Sequence, residues 1–171
     1  TAAIRALEPV TAGPLVGGVL RAGVGQSARY SPQAPSAVAG QAAEASSADI
    51  EAAFSLARAA QPAWDREGGQ ARARVLRAMG EALEAHQNRL IALCVREAGK
   101  TLADGVAEVR EAVDFCRYYA SLAEQQFGGP QSLPGPAGET NSLEWRGRGV
   151  FVCISPWNFP LAIFTGQVCA A

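Results

Sequence analysis

Lysine is nearly missing from this chain: Lys100 stands alone among 15 basic residues. His86 is the only histidine, and the four cysteines (Cys94, Cys116, Cys153, Cys169) include no Cys-x-x-Cys pair. No metal site is expected from so thin a ligand set, and a disulfide scaffold does not fit this cysteine density. The cysteine usage reads as that of a reducing, cytoplasmic protein. Neither sign of charge dominates, since 15 Lys+Arg face 16 Asp+Glu for a formal net charge of −1, and there is no basic block. Nucleic acids and anionic membranes are bound through clustered Lys and Arg, so neither is expected as a partner of this segment. No apolar run approaches the roughly 20 residues of a membrane span, so no transmembrane segment is expected. The chain opens on Thr1 without a basic-then-apolar leader, and Cys169-Ala170-Ala171 falls inside what reads as a helix. The expectation is a piece of a larger module.

What is present is 171 residues, 35 of them alanine, with enough larger apolar side chains for a packed core. Residues 1–46 are rich in Gly, Ala, Pro and Ser, and read as short strands broken by turns, in part as a linker. Leu15-Val16, Val19-Leu20 and Val24 are the apolar bursts, set around Gly17-Gly18, Gly23 and Gly25. From residue 47 to 127 the pattern turns helical. Ser46 or Ser47 caps a first helix carrying Ile50, Phe54 and Ala57, which Pro62 is expected to close. A second helix starts near Gln70, and Asn88 is expected to cap a third that Gly99 stops. A fourth, about Leu102 to Phe127, shows a buried stripe of Val106, Val109, Val113, Cys116, Ala120 and Ala123. A second stripe of Phe115, Tyr118 and Leu122 lies about half a turn away, with Glu111 in line with it.

Residues 128–147 read as a loop with an edge strand at Leu143–Arg146, and the apolar run Val150–Ile154 as a strand buried on both faces. Long helices followed by strand, loop and helix indicate an α/β fold. The segment Ser155–Pro160 would then lie at the carboxyl end of a parallel strand, where such sheets bind ligands. Pro156 and Pro160 stiffen it at both ends. Asn158 either offers its amide to developing negative charge or hydrogen-bonds the backbone of a tight turn. Glu111 either binds a cationic group from an aromatic face or pairs with Arg117 or another arginine.

Ser155-Pro156-Trp157-Asn158-Phe159-Pro160 resembles the Pro-Trp-Asn-Phe-Pro signature of the NAD(P)-dependent aldehyde dehydrogenases. Ala48-Asp49-Ile50, Ala63-Trp64, the Arg72…Leu76 helix and Glu97-Ala98-Gly99-Lys100 follow that family's order, so the resemblance covers nearly the whole chain and is weakest before residue 30. The stretches Glu108–Tyr119, Leu133–Pro136 and Gly147–Gln167 are similar to the L-glutamate γ-semialdehyde (Δ1-pyrroline-5-carboxylate) dehydrogenase module of bacterial proline utilization A.

The resemblance implies the N-terminal part of an aldehyde dehydrogenase fold, with residues 148–171 opening its NAD-binding unit. It implies oxidation of glutamate semialdehyde to glutamate with NAD, within a bifunctional proline-catabolic enzyme. FAD would enter only with an upstream proline dehydrogenase domain. Asn158 takes the oxyanion-hole role, Glu111 and Phe159 bind substrate, and Ile154, Ser155, Pro156 and Trp157 lie along the cofactor. A homo-oligomer is implied, joined through the strand near Leu143. The nucleophilic cysteine and general-base glutamate belong to parts outside this chain. Gly166-Gln167-Val168-Cys169 imitates the nucleophile motif, but it follows Asn158 by only one helix, so Cys169 is read as packing, as are the other three cysteines. The alternatives are another aldehyde dehydrogenase subfamily, or a non-catalytic folding or assembly module.

Overall fold

A computed structural model describes Ile4 and residues 6–171. Its first unit is more ordered than the composition suggests. Strands β1 (Val10–Ala12), β4 (Val24–Ser31) and β5 (Ala34–Glu44) form one sheet in the order β1-β5-β4, with β1 parallel and β4 antiparallel to β5. The expected linker character is therefore corrected: β5 alone runs for 11 residues. Beside it, β2 (Leu15–Val16) and β3 (Val19–Leu20) pair as a hairpin. Gly17 and Gly18 have φ of 60° and 77°, as a two-residue turn matched to strand twist requires.

Helix α1 (Ser47–Arg66) starts with a reciprocal cap. Ser46 Oγ accepts from the Asp49 N–H at 3.1 Å, and the Ser46 N–H donates to Asp49 Oδ2 at 3.0 Å. The Ser46 hydroxyl also donates to Asp49 Oδ2 at 2.6 Å, and this bond, with that of the Ser46 N–H, holds the Asp49 carboxyl below its usual range. Pro62 does not close this helix, which continues through it to Arg66. A proline removes one internal hydrogen bond, and the turns on either side keep the rest. Gly68, at φ 74°, makes the break instead.

Helix α2 (Gly68–Ala85) begins two residues before the expected start, and Gly69 donates to the Phe127 carbonyl at 3.0 Å. Asn88 lies inside α3 (Gln87–Ala98), whose cap position is His86, with no side-chain hydrogen bond there. Gly99 ends α3 in the left-handed conformation at φ 68°.

Helix α4 (Leu102–Gln126) is the centre of the packing. Its buried stripe is Gly105, Glu108, Val109, Ala112, Val113, Cys116 and Ala120. Against it lie Gly69, Ala73 and Gly80 of α2 and Ala92, Cys94 and Val95 of α3, all buried. Small side chains let these helix backbones approach closely, and a Cβ on Gly80 would sit 3.3 Å from the Cβ of Cys116. Arg77 of α2 forks onto both carboxylate oxygens of Glu124 at 2.6 and 2.7 Å, a solvent-screened pair that fixes geometry more than it adds stability. Val106 is exposed and Ala123 half-buried, so the stripe is turned from the expected one to take in Glu108.

After α4, β6 (Gln131–Leu133) and β7 (Asn141–Leu143) form a short exposed hairpin. The edge strand thus ends at Leu143 and does not run on to Arg146. Val150–Ile154 departs from expectation too: it has no strand pairing among the described residues, and Ile154 is 75% exposed. A strand buried on both faces exists only through its neighbours, and no described segment supplies one. Helix α5 (Ala162–Ala170) follows and lays Ala162, Thr165, Gly166 and Cys169 on α4. Among the described residues no helix is long and apolar enough to cross a membrane.

Candidate active-site loop

The segment from Ile154 to Ala162 is held at both ends. At its start, the Gln167 side chain imitates a strand neighbour. The Ile154 N–H donates to Gln167 Oε1 at 2.8 Å, and Gln167 Nε2 donates to the Ile154 carbonyl at 3.1 Å. At its end, α5 has no side-chain cap of its own. Glu108 of α4 supplies one from 53 residues away: its Oε2 accepts from the N–H groups of Leu161 at 3.2 Å and Ala162 at 2.9 Å. A carboxylate at a helix N-terminus satisfies orphan donors and meets the positive end of the dipole.

Glu108 is 2% exposed, so its charge needs compensation. Lys100 provides it, with Nζ 2.9 Å from Glu108 Oε1. Oε1 receives no properly directed hydrogen bond, so this contact is chiefly Coulombic. The same ammonium lies 4.2 Å from the centroid of the Phe159 ring. The chain's single lysine thus joins the Gly99 turn, α4 and the loop.

Between these anchors the Phe159 N–H donates to the Pro156 carbonyl at 3.3 Å, closing a turn with Trp157 and Asn158 at its tip. Trp157 is 86% exposed, and Asn158 is exposed as well. The Asn158 amide makes no hydrogen bond among the described residues, so it is not spent on local turn geometry. Phe159 is partly covered by Lys100; Ser155 and Pro156 complete the turn's approach.

Glu111 sits one turn beyond Glu108 on α4, on the exposed side. The expected second face, aromatic with Glu111 in line, is only partly buried. Glu111 and Tyr118 face solvent, whereas Phe115 and Leu122 are half-buried. The aromatic residues do meet: Phe115 stacks on Tyr119 at 6.2 Å between centroids, and Tyr118 meets Tyr119 edge-on at 5.1 Å. Arg117 pairs with Glu84 at 2.7 Å, and Glu111 forms no ion pair among the described residues.

The cysteines are free, and three are buried. Cys153 is half-buried outside any strand, a correction to its expected place in a buried one. Burial, aided by the nearby Glu108 charge, pushes the Cys94 thiol up to about 11. Cys169 is pushed up to about 12 by burial and by its contact with Cys116, whose sulfur is 3.6 Å away. Thiols held protonated are poor nucleophiles. His86 is exposed at the α2–α3 junction, far in sequence from the loop. No cluster of three metal-ligating side chains occurs among the described residues. An apolar groove of about 400 Å³ between Phe151, Tyr119 and Cys169 does not include Asn158.

Glu108 and Gln167 are absent from the residues expected at the site. Glu108 had a signal, since it stands four residues before Ala112 on the buried stripe. Gln167 had none, because its partner is a backbone 13 residues away.

Residues 22–171 match the aldehyde dehydrogenase family. The bifunctional protein PutA of Salmonella typhimurium is 41% identical over 140 residues, covering 82% of this chain and 10% of that protein. The crystal structure of proline utilization A from Bdellovibrio bacteriovorus superposes with a TM-score of 0.92 at 30% identity, covering 98% of this chain and 17% of that one. A 1-pyrroline-5-carboxylate dehydrogenase from Thermus with bound NAD gives 0.91 at 32% identity, with 98% and 33% covered. The chain therefore spans about a tenth of the Salmonella relative and a third of the Thermus one.

Proposed function

The chain belongs to the aldehyde dehydrogenase family, and from that premise we propose that it forms part of an NAD-dependent enzyme oxidising L-glutamate γ-semialdehyde to L-glutamate. The observation that carries the reading is Asn158, an unpaired amide at the tip of a turn whose two ends are anchored. Such a donor meets an oxyanion without reorganising, and removing one typically costs about 3 kcal/mol in the transition state. The role assigned to Asn158 is to hold the aldehyde oxygen as negative charge develops on it. Glu111 is assigned the substrate's ammonium group, for which it has a free carboxylate on α4. Phe159 is assigned the wall beside the aldehyde.

Ile154, Ser155, Pro156 and Trp157 suit the nicotinamide end of NAD. They are apolar or neutral, all exposed but the half-buried Pro156, and no Lys or Arg occurs from residue 149 to 171, so this surface fits a flat ring and not a pyrophosphate. When bound, NAD supplies the two-electron acceptor. The segment Val150–Ile154 is proposed to become a strand by pairing with further strands of the longer protein. The nucleophilic cysteine and the general base are assigned to that remainder as well. The exposed β6–β7 hairpin, with Leu133 and Leu143 on its surface and the exposed Trp145 just beyond it, is proposed as the contact of a homo-oligomer. Residues 1–46, 47–127, 128–147 and 148–171 are proposed as successive units of the module. Four free cysteines support a cytoplasmic setting. Proline catabolism and a fused, FAD-dependent proline dehydrogenase domain are proposed from the PutA relatives.

NADH formation by the full-length protein carrying this segment tests the reading, with glutamate semialdehyde compared against simple aliphatic aldehydes. Preference for the amino-acid aldehyde is expected; equal turnover of both moves the assignment to another aldehyde dehydrogenase subfamily.

A further inference from the structure

We propose that Glu108 and Gln167 are positioning residues for catalysis, setting the Asn158 amide by clamping the two ends of its loop, with Lys100 neutralising Glu108. The inference rests on the oxyanion role proposed above for Asn158, and adds what aims it.

A turn with an exposed asparagine at its tip has no fixed direction unless its ends are fixed. Gln167 takes both backbone polar groups of Ile154, which defines position and tilt at the entry. Glu108 takes the two leading N–H groups of α5, which defines the exit. The two anchors differ in origin. Gln167 belongs to α5 itself, so it ties the loop's entry to the helix its exit begins. Glu108 belongs to α4 and ties that closed unit to the packed core.

A cap for α5 alone would need only Ser, Thr or Asp at position 161, at little desolvation cost. The chain instead has Leu161 there and a buried carboxylate with a half-buried counter-charge, an expensive arrangement unless register matters. Lys100 also lies on the ring of Phe159, the residue next to Asn158. The ion pair therefore touches the loop at Phe159, Leu161 and Ala162, three of the four residues that follow Asn158. Misplacing a reacting group by about 1 Å costs on the order of a hundredfold in rate, so small slippage at either anchor is measurable.

The test uses the full-length protein with Glu108→Gln, Gln167→Leu and the charge-balanced double variant Glu108→Ala/Lys100→Met. The double variant leaves no unpaired buried charge, so it guards against simple misfolding. Expected is a fall in kcat of roughly tenfold to a hundredfold for Gln167→Leu and the double variant, with the NAD dissociation constant unchanged within about twofold. Glu108→Gln, which keeps an acceptor for the Leu161 and Ala162 N–H groups, should recover part of that loss. Hydrogen exchange of the peptide spanning 154–164 should accelerate in step with lost kcat. Wild-type kcat in both Gln167→Leu and the double variant overturns the proposal, as does an equal loss in Glu108→Gln and the double variant. If the unsubstituted protein turns over aliphatic aldehydes but no amino-acid semialdehyde, the substrate assignment fails, and the clamp is judged on the aliphatic substrate. No turnover of any aldehyde overturns both.

Discussion

Gly166 of α5 packs directly on the ring of Phe115 of α4: a Cβ built at 166 would lie 3.0 Å from Phe115 Cδ2 and Cε2. No side chain fits there without displacing the ring or the helix. The contact sets the depth of α5 and, through Gln167 next to it, the entry of the Asn158 loop.

Gly166→Ala should therefore cost about 1–3 kcal/mol of stability through overpacking, despite the better helix propensity of alanine. Denaturant titration of the full-length protein checks this, and kcat should fall along with stability. Unchanged stability would show that the Phe115 ring gives way freely.

Asn158→Ala removes the proposed oxyanion donor from an exposed position, so folding should survive. kcat should drop by about a hundredfold to a thousandfold. NAD affinity, measured by titration calorimetry, should shift little. A kcat within a few-fold of the unsubstituted protein would remove Asn158 from the oxyanion role.

Glu111→Ala separates substrate recognition from structure. The carboxylate is exposed and makes no ion pair among the described residues, so stability should be nearly unchanged. KM for the amino-acid semialdehyde should rise by roughly tenfold or more, the worth of a hydrogen-bonded charge, while aliphatic aldehydes are spared. Equal losses on both substrates would argue for a structural role.

Alkylation should follow thiol burial. With Cys94 pushed up to about 11 and Cys169 to about 12, the neutral thiol dominates at ordinary pH. At pH 8 the thiolate share of Cys94 is on the order of one in a thousand, rising about tenfold per pH unit below its pKa. Iodoacetamide with mass-spectrometric mapping at pH 8 should label the half-buried Cys153 ahead of Cys94 and Cys169. Cys94 or Cys169 labelled as fast as Cys153 would contradict the packing role.

Much of the local structure could be read from the residues alone. The Gly17-Gly18 hairpin, the Ser46 cap with Asp49, the Gly99 stop and the length of α4 each rest on backbone or capping preferences acting within a few residues. The Asn158 loop was legible for the same reason, since its two prolines restrict the chain locally. Pro62 misled, because the flanking turns carried α1 through it at the loss of one internal hydrogen bond.

What only tertiary structure decided is which acid sits where on α4. Glu108 and Glu111 are three residues apart on one helix, and periodicity tied Glu111 to the aromatic stripe. Packing turned the helix so that Glu108 is buried against Lys100 and α5, while Glu111 faces out. That rotation depends on where the small residues of α2 and α3 let α4 approach. The Gln167 bond to Ile154 was equally hidden, being a contact between a side chain and a distant backbone. Sequence by itself determined the loop that presents Asn158 and the family motif around it. The long-range contacts that aim the loop arose from packing, because a carboxylate is driven to a helix N-terminus and an ammonium only once burial has removed water as its partner.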